Sequence, residues 1–397
     1  MLLHHNICMW IHPLISPHKI NICIPSFLLG DLGSIDAWWA QWSNFVFNKK
    51  ISVKREDSVD NIGVYELISP ISKAKYPEIT EHEAKISVPL QTLCLAIFDS
   101  ILVNMLNQLS PSHWQRIRTD ICEHMNKKKT ENSLSILENT YIDHDVAFLQ
   151  EVASSLVSQC DNRKISKSFD IISPSNIDPD RDQNSFILLK KGRFVSHKDE
   201  TDEVLSLFPA GEKVPIETGD LFVMSAVDSF DGQKYLFASF HGDTNGLATI
   251  PVVQAVHDFA STRRKAHKLL FGMDANTYHH PKKDQQGVTA FVDFLEAHHM
   301  KSCWVFDDMA DYLINYTTYC ARTHLQPQLN KAASFAERDV KGDKNPKDFM
   351  IFFGSDFTVV NTQRDNTGKG KFIDDTVLPT LNFPSDHAIT STILTSN

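Results

Sequence analysis

The sequence predicts a layered α/β sandwich, with two β-sheets packed face to face and helices on the outside. Three observations point there. From residue 86 on, apolar runs of strand length recur, and DVAFLQE, SFILLKK and DLFVMSAV are apolar on both faces, so both sides of their sheets must be covered. Helical stretches separate some of these runs, while the turn DGQ at 231–233 joins DLFVMSAV to KYLFASFHG as a hairpin. The chain has 397 residues, enough to bury such a double layer.

Residues 1–30 are apolar and almost uncharged, but His4, His5, His12, Pro13, Pro17 and Lys19 interrupt any signal-peptide core or membrane span. They are expected to form an atypical N-terminal extension. IDAWWAQWSNFVF reads as a short aromatic helix, and DSVDNIGVYELISPISKAKYPEITEHE as loop. A domain boundary is expected near residue 85, with 1–85 a partly ordered extension and 86–397 the sandwich. There QTLCLAIF reads as the first core strand, and SPSHWQRIRTDICEHM as a helix with Ser110 at its N-cap and Pro111 in its first turn. The strands DVAFLQE, SFILLKK, DLFVMSAV and KYLFASFHG follow, then the helix PVVQAVHDFASTRRKAHK. Next come the strand HKLLFGMD, the helix VTAFVDFLEAHHM, the strand KDFMIFFGS and a final strand AITSTILT.

A composition of 42% hydrophobic and 22% charged residues is that of a globular protein. The net charge of −10 gives no global field for nucleic acid, so a polyanionic substrate would need a local positive patch. Seven scattered cysteines without a CxxC pair indicate reduced thiols and an intracellular setting, cytoplasmic or nuclear. The pairs His279–His280 and His298–His299 are not expected to form a zinc site, and the latter, at the end of an amphipathic helix, is read as structural. No membrane span and no obligate protein partner are expected.

Several strands end in groups suited to chemistry. DVAFLQE ends at Glu151, KYLFASFHGD carries His241, HKLLFGMDAN carries Asp274 and Asn276, and PSDHAIT supplies Asp386 and His387 before the last strand. Strand ends fix the backbone while exposing side chains to solvent, so sites gather there. One or two carboxylates with a substrate phosphate suffice for Mg²⁺, histidine exchanges protons near neutral pH, and asparagine orients a phosphate without charge repulsion. The spacing of Asp274 and Asn276 puts both on one face of a locally extended chain.

These segments resemble the endonuclease/exonuclease/phosphatase superfamily, the deoxyribonuclease I-like proteins, over residues 88–397. The family's LQE is matched by Leu149, Gln150 and Glu151, its strand-end histidine by His241, its GDFN in altered form by Gly272, Met273, Asp274, Ala275 and Asn276, and its SDH by Ser385, Asp386 and His387. Its aspartate at the start of the penultimate core strand is matched by Asp348. The resemblance implies a four-layer α/β/β/α sandwich and a Mg²⁺ cofactor, for which Mn²⁺ could substitute. Glu151 would be the principal metal ligand, with Asp386 close to the metal. Asp274 would orient or deprotonate a water. Asn276 and His241 would contact the phosphate, and His387, oriented by Asp348, would be a second phosphate contact or a general acid/base.

Two departures stand out. Met273 separates the glycine from the aspartate. At the end of the first strand, where the family has an Asn that helps hold the metal, the best register places Ala96, with Asp99 or Asn104 as substitutes. The expectation is therefore a phosphoesterase, a phosphodiesterase on nucleic acid or a nucleotide-like substrate. The alternative, motivated by Ala96, is a non-catalytic phosphate-binding or scaffold protein on the same fold. Asn245, Lys282 and Lys283 are expected to contact substrate, with Arg263, Arg264, Lys265, Lys268, Lys369 and Lys371 as further basic positions. The tryptophans of residues 31–85 could dock a partner instead.

Overall fold

The computed structural model describes residues 31–55, 58–74, 76–124, 128–179, 183–208, 216–304, 314–319 and 344–397. The expected extension at 1–30 lies outside them. The described residues form two compact units, one up to Lys128 and one from Lys129 on.

The first unit is mainly helical. Helix α1 (Ile35–Ser43) is capped by Ser34, whose hydroxyl accepts from the Ala37 amide, and passes into a π-helical turn at Asn44–Asn48. A hairpin of β1 (Lys50–Arg55) and β2 (Ser58–Gly63) follows where loop was expected. Helix α2 (Glu81–Leu109) starts at a capping box between Thr80 and Glu83. It runs through residue 85, where the sequence placed a boundary, and through QTLCLAIF, which is therefore helix and not strand. That run of eight apolar-rich residues fits either period, and the cap at Thr80 decides it. Leu95, Ala96, Val103 and Leu106 face Trp38, Trp42 and Phe45. Asp99 lies among them and accepts a hydrogen bond from Trp42 Nε1 at 2.8 Å, while burial raises its carboxyl to about 7. By length and composition α2 could cross a membrane, although this face is packed against aromatic side chains. Pro111 stops α2 rather than starting the next helix: Ser110 is the C-cap, and α3 (Trp114–Cys122) begins three residues after Pro111.

The second unit is the sandwich. It contains α4 (Lys129–Thr140), β3 (Val146–Val152), α5 (Leu156–Gln159), α6 (Lys164–Ser168), β4 (Phe169–Ile172), β5 (Asn184–Lys190) and β6 (Phe194–Asp199). It continues with α7 (Thr201–Leu205), β7 (Leu221–Asp228), β8 (Lys234–His241), α8 (Thr249–Arg263), β9 (His267–Asp274), α9 (Val288–Ala297) and β10 (Met300–Ser302). The last elements are β11 (Thr318–Tyr319), β12 (Lys344–Asn345), β13 (Asp348–Phe353), β14 (Phe357–Asp365) and β15 (Ile389–Ser396). One sheet has six strands in the order β10-β13-β9-β8-β7-β6, and β3-β5-β4 and β14-β15 form ladders of their own.

Strand periodicity explains the layers. In β8, Leu236, Ala238 and Phe240 face α8 and α9, meeting Val252, Val256, Phe259 and Phe291. The alternate residues Tyr235 and Phe237 face the other way and meet Ile187 and Leu189 of β5 and Phe357 of β14. In β5 the remaining pair, Phe186 and Leu188, turn outward onto Leu134 of α4, Leu156 of α5 and Ile165 of α6. Helix, sheet, sheet, helix is the resulting order, as expected from strands apolar on both faces.

Gly272 sets the close approach of the two sheets. A Cβ built there would lie 2.5 Å from the Phe148 ring of β3. Gly272→Val should therefore lower the unfolding free energy by about 2–3 kcal/mol, the usual penalty of overpacking, in a urea titration. Adding Phe148→Leu should recover part of the loss. An unchanged urea midpoint in the single variant would contradict this contact.

Candidate active site

Strand register builds the site. β8 and β9 are parallel with His241 opposite Asp274, and β9 and β13 are antiparallel with Asp348 opposite the same Asp274. His241, Asp274 and Asp348 thus form one row across three adjacent strands, each about 4.8 Å from the next. Glu151 reaches the row from the other sheet. There Leu149 pairs with Phe186 and Val152 with Asn184, so Gln150 and Glu151 stand opposite Ser185 alone. This bulge puts Glu151 at φ +54°, a left-handed conformation uncommon for glutamate. Gln150 anchors the bulge to the row's sheet by donating to Ser239 Oγ at 3.0 Å.

The spacing of Asp274 and Asn276 has a local cause. Asp274 Oδ1 accepts from the Asn276 amide at 2.9 Å, an Asx-type turn, and Asn276 adopts φ +46°, which asparagine tolerates. The other oxygen, Oδ2, faces His241 Nε2 at 3.7 Å and His387 Nε2 at 3.8 Å. His241 Nε2 is also 3.5 Å from Glu151 Oε1. The His387 loop is fixed by a bridge between Thr318 and His387 and by the Ala388 amide donating to the Thr317 carbonyl at 2.8 Å. The Thr317 hydroxyl in turn accepts from the amides of Lys347 and Asp348.

Asp274 and Asp348 are like charges directly opposite each other, an unfavourable pairing by itself. His387 offsets it: its Nδ1 lies 3.0 Å from Asp348 Oδ2 while its Nε2 faces Asp274. Burial alone would push the imidazole pKa down. The adjacent Asp348 and Asp274 carboxylates outweigh burial and hold it well above the ordinary 6.5.

Glu151, His241, Asp274, Asp348, Asp386 and His387 all line one cavity of about 310 Å³. Ligand atoms of Asp274, Asp348 and His387 lie within 4.8 Å of one another. The cavity's carboxylate oxygens are donors that suit a hard divalent cation. The donors near enough to share one ion are those of Asp274, Asp348 and His387, while Glu151 and Asp386 line the same cavity.

The second unit is a four-layer α/β/β/α sandwich. The chain is similar to D. rerio TDP2 complexed with single strand DNA product, at 15% identity over 68% of this chain and 92% of that one, with a TM-score of 0.44. An endonuclease/exonuclease/phosphatase from Bacteroides vulgatus is similar at 11% identity over 70% and 94%, with a TM-score of 0.44. The human Nocturnin catalytic domain with bound sulfate anion is similar at 12% over 68% and 87%, with a TM-score of 0.40. A family model described as a domain of unknown function, DUF8234, matches residues 16–119. No curated protein matches.

Not every expected residue arrives at this cavity. Ala96, Asp99 and Asn104 are helical residues of the first unit, so none stands at the end of a core strand. Asn245, Lys282 and Lys283 are exposed on loops and do not line the cavity; the Asn245 carbonyl accepts from the Gln286 amide and the Lys282 amide donates to Gln285. Asn276 is buried behind Asp274 and is not among the lining residues either. Arg264 is bound to the buried Glu200 at 2.6 Å, and Lys268 to the C-terminal residues Ser396 and Asn397. Sequence reasoning missed Lys347, whose Nζ donates to Asn276 Oδ1 at 2.7 Å. Its only signal was its place directly before Asp348.

Because the His387 pKa is raised on folding, protonation favours the folded state. The stability it contributes is full below about pH 6.5, the unfolded-state value, and is lost as pH rises through the higher folded-state value. Unfolding measured against pH in chelator should show this decline above neutrality, and His387→Gln should flatten it. Asp348→Asn should lower the His387 pKa in an NMR titration; an unmoved titration would contradict the pairing.

Proposed function

We propose that the second unit is a divalent-metal-dependent phosphoesterase, a phosphodiesterase that attacks its substrate in line with an activated water. The observation that carries this reading is the row His241, Asp274 and Asp348, closed over by His387 at a cavity that also holds Glu151 and Asp386. Mg²⁺ or Mn²⁺ held by Glu151 and Asp386 would supply charge neutralisation at the phosphoryl oxygens. Asp274 has one oxygen committed to its turn and one facing the cavity, which suits it to orient a water and draw off its proton. His387, whose pKa is raised by Asp348 and Asp274 and whose ring is fixed by Asp348, donates to the phosphoryl group or the leaving oxygen. His241 and Asn276 contact the phosphate from the strand ends.

Substrate size follows from the surroundings. A cavity of about 310 Å³ suits a small ligand, and the basic side chains that could have tracked a long polyanion are engaged elsewhere or absent from its lining. A short nucleotide-like phosphodiester is favoured over extended nucleic acid. The scattered thiols support an intracellular setting, cytoplasmic or nuclear.

A non-catalytic phosphate-binding role is the second reading, and the helical conformation of QTLCLAIF favours it, since the expected core strand and its metal-holding position are not formed by that segment. Hydrolysis of a generic phosphodiester with Mg²⁺ or Mn²⁺ separates the two. Asp274→Asn should lower kcat by about a thousandfold or more, and removal of the metal should abolish turnover. Equal rates for both proteins would remove Asp274 from its role, and binding without turnover across a substrate panel would establish the second reading.

A further inference from the structure

We propose that Lys347 is a positioning residue of the phosphate site, whose ammonium locks the Asn276 carboxamide in one orientation and polarises it as a donor to a phosphoryl oxygen. The acceptor's identity rests on the phosphoesterase reading; the orientation of the amide does not.

The carboxamide sits between two groups of fixed polarity. Lys347 Nζ, which can only donate, is 2.7 Å from Oδ1, and the Gly242 carbonyl, which can only accept, is 3.2 Å from Nδ2. A flipped amide would face NH₂ to ammonium and oxygen to carbonyl oxygen, wrong at both ends. One Nδ2 hydrogen is used on Gly242; Asn276 lies behind the cavity's lining residues, so the other hydrogen serves a ligand only where that ligand reaches past Asp274. Asn276 is 5% exposed, so the charge on its oxygen is poorly screened, and it draws electrons from the amide and strengthens the remaining N–H as a donor.

Lys347 is itself held in place. Its ammonium lies 4.8 Å from the Tyr278 ring centroid, and the Tyr278 hydroxyl is fixed on the Thr244 carbonyl. The Lys347 carbonyl accepts from the Ala275 amide at 2.7 Å, so backbone and side chain both tie it to the end of β9. An ammonium there also repels a metal ion. The site divides accordingly into an acidic half, Glu151, Asp386 and Asp274, and a donor half formed by Asn276 backed by Lys347. The ligand class of the donor half is an anionic phosphoryl oxygen.

The test compares wild type with Lys347→Met, which keeps the aliphatic stem, and Lys347→Gln, which keeps a neutral donor. The Asn276 side-chain NH₂ signals, assigned by their loss in Asn276→Asp, report orientation directly by NMR. Lys347→Met should collapse their separation, weaken inorganic phosphate binding roughly tenfold, and lower kcat roughly tenfold or more with little change in KM. Lys347→Gln should restore the NMR signals and only part of kcat. Signals unchanged in Lys347→Met would overturn the proposal, even in an active enzyme. Collapsed signals in a protein that hydrolyses nothing would uphold the positioning role and reject the phosphoesterase reading.

Discussion

The pairing register of β8, β9 and β13 is the constraint on which the site depends. Only because His241 and Asp348 both stand opposite Asp274 do three side chains from distant parts of the sequence share a row. A slip of one residue would turn Asp274 into the core and bring Met273 to the row, since successive strand residues point to opposite faces. The register is held from within: Leu269, Phe271 and Met273 pack under α8 and α9, and Gly272 on the opposite face admits the Phe148 ring. The buried pattern that stabilises the sheet is therefore also what positions the chemistry.

That pattern was largely legible in the sequence. Strands apolar on both faces can only lie inside a layered structure, and the polar residues ending them had nowhere to be but at its rim. Glu151, His241, Asp274, Asp348, Asp386 and His387 meet at one cavity for this reason. QTLCLAIF was not legible, because eight apolar-rich residues satisfy a helix as well as a strand, and the cap that decides between them lies eleven residues upstream at Thr80. The basic positions failed for another reason. Sequence proximity to Asn276 says nothing of direction, and Lys282 and Lys283 project from a loop while Arg264 has a buried carboxylate to neutralise. Lys347 was hidden because a lone lysine before a strand carries no pattern; its meaning comes from Asn276, seventy-one residues away in sequence.

The ladders β3-β5-β4 and β14-β15 share no pairing among the described residues, yet Val146–Glu151 of β3 and Ile389–Thr392 of β15 line the same cavity. The cavity therefore runs along two strand edges as well as across the ends of the row. Its lining also includes the apolar residues Ile136, Leu137 and Phe148. Low-polarity surroundings strengthen every charge interaction at the row, including the hold of Asp348 on His387.

The local costs of the site bear on whether it works or merely persists. Glutamate at φ +54° in a bulge and two aspartates directly opposed each oppose folding, the first by about 1–3 kcal/mol. A surface that only bound a scaffold partner would be more stable with asparagine at 274 and glycine at 151. Neither feature improves packing: Glu151 is exposed, and half-buried His387 has its pKa raised by the carboxylates it faces. What these features do achieve together is a carboxylate aimed out of its strand, a second carboxylate with one oxygen facing two imidazoles, and a third carboxylate that holds one of those rings. Carboxylates and imidazoles set side by side in this way are groups that suit a divalent cation or a phosphoryl group, which is the ground of the function proposed above.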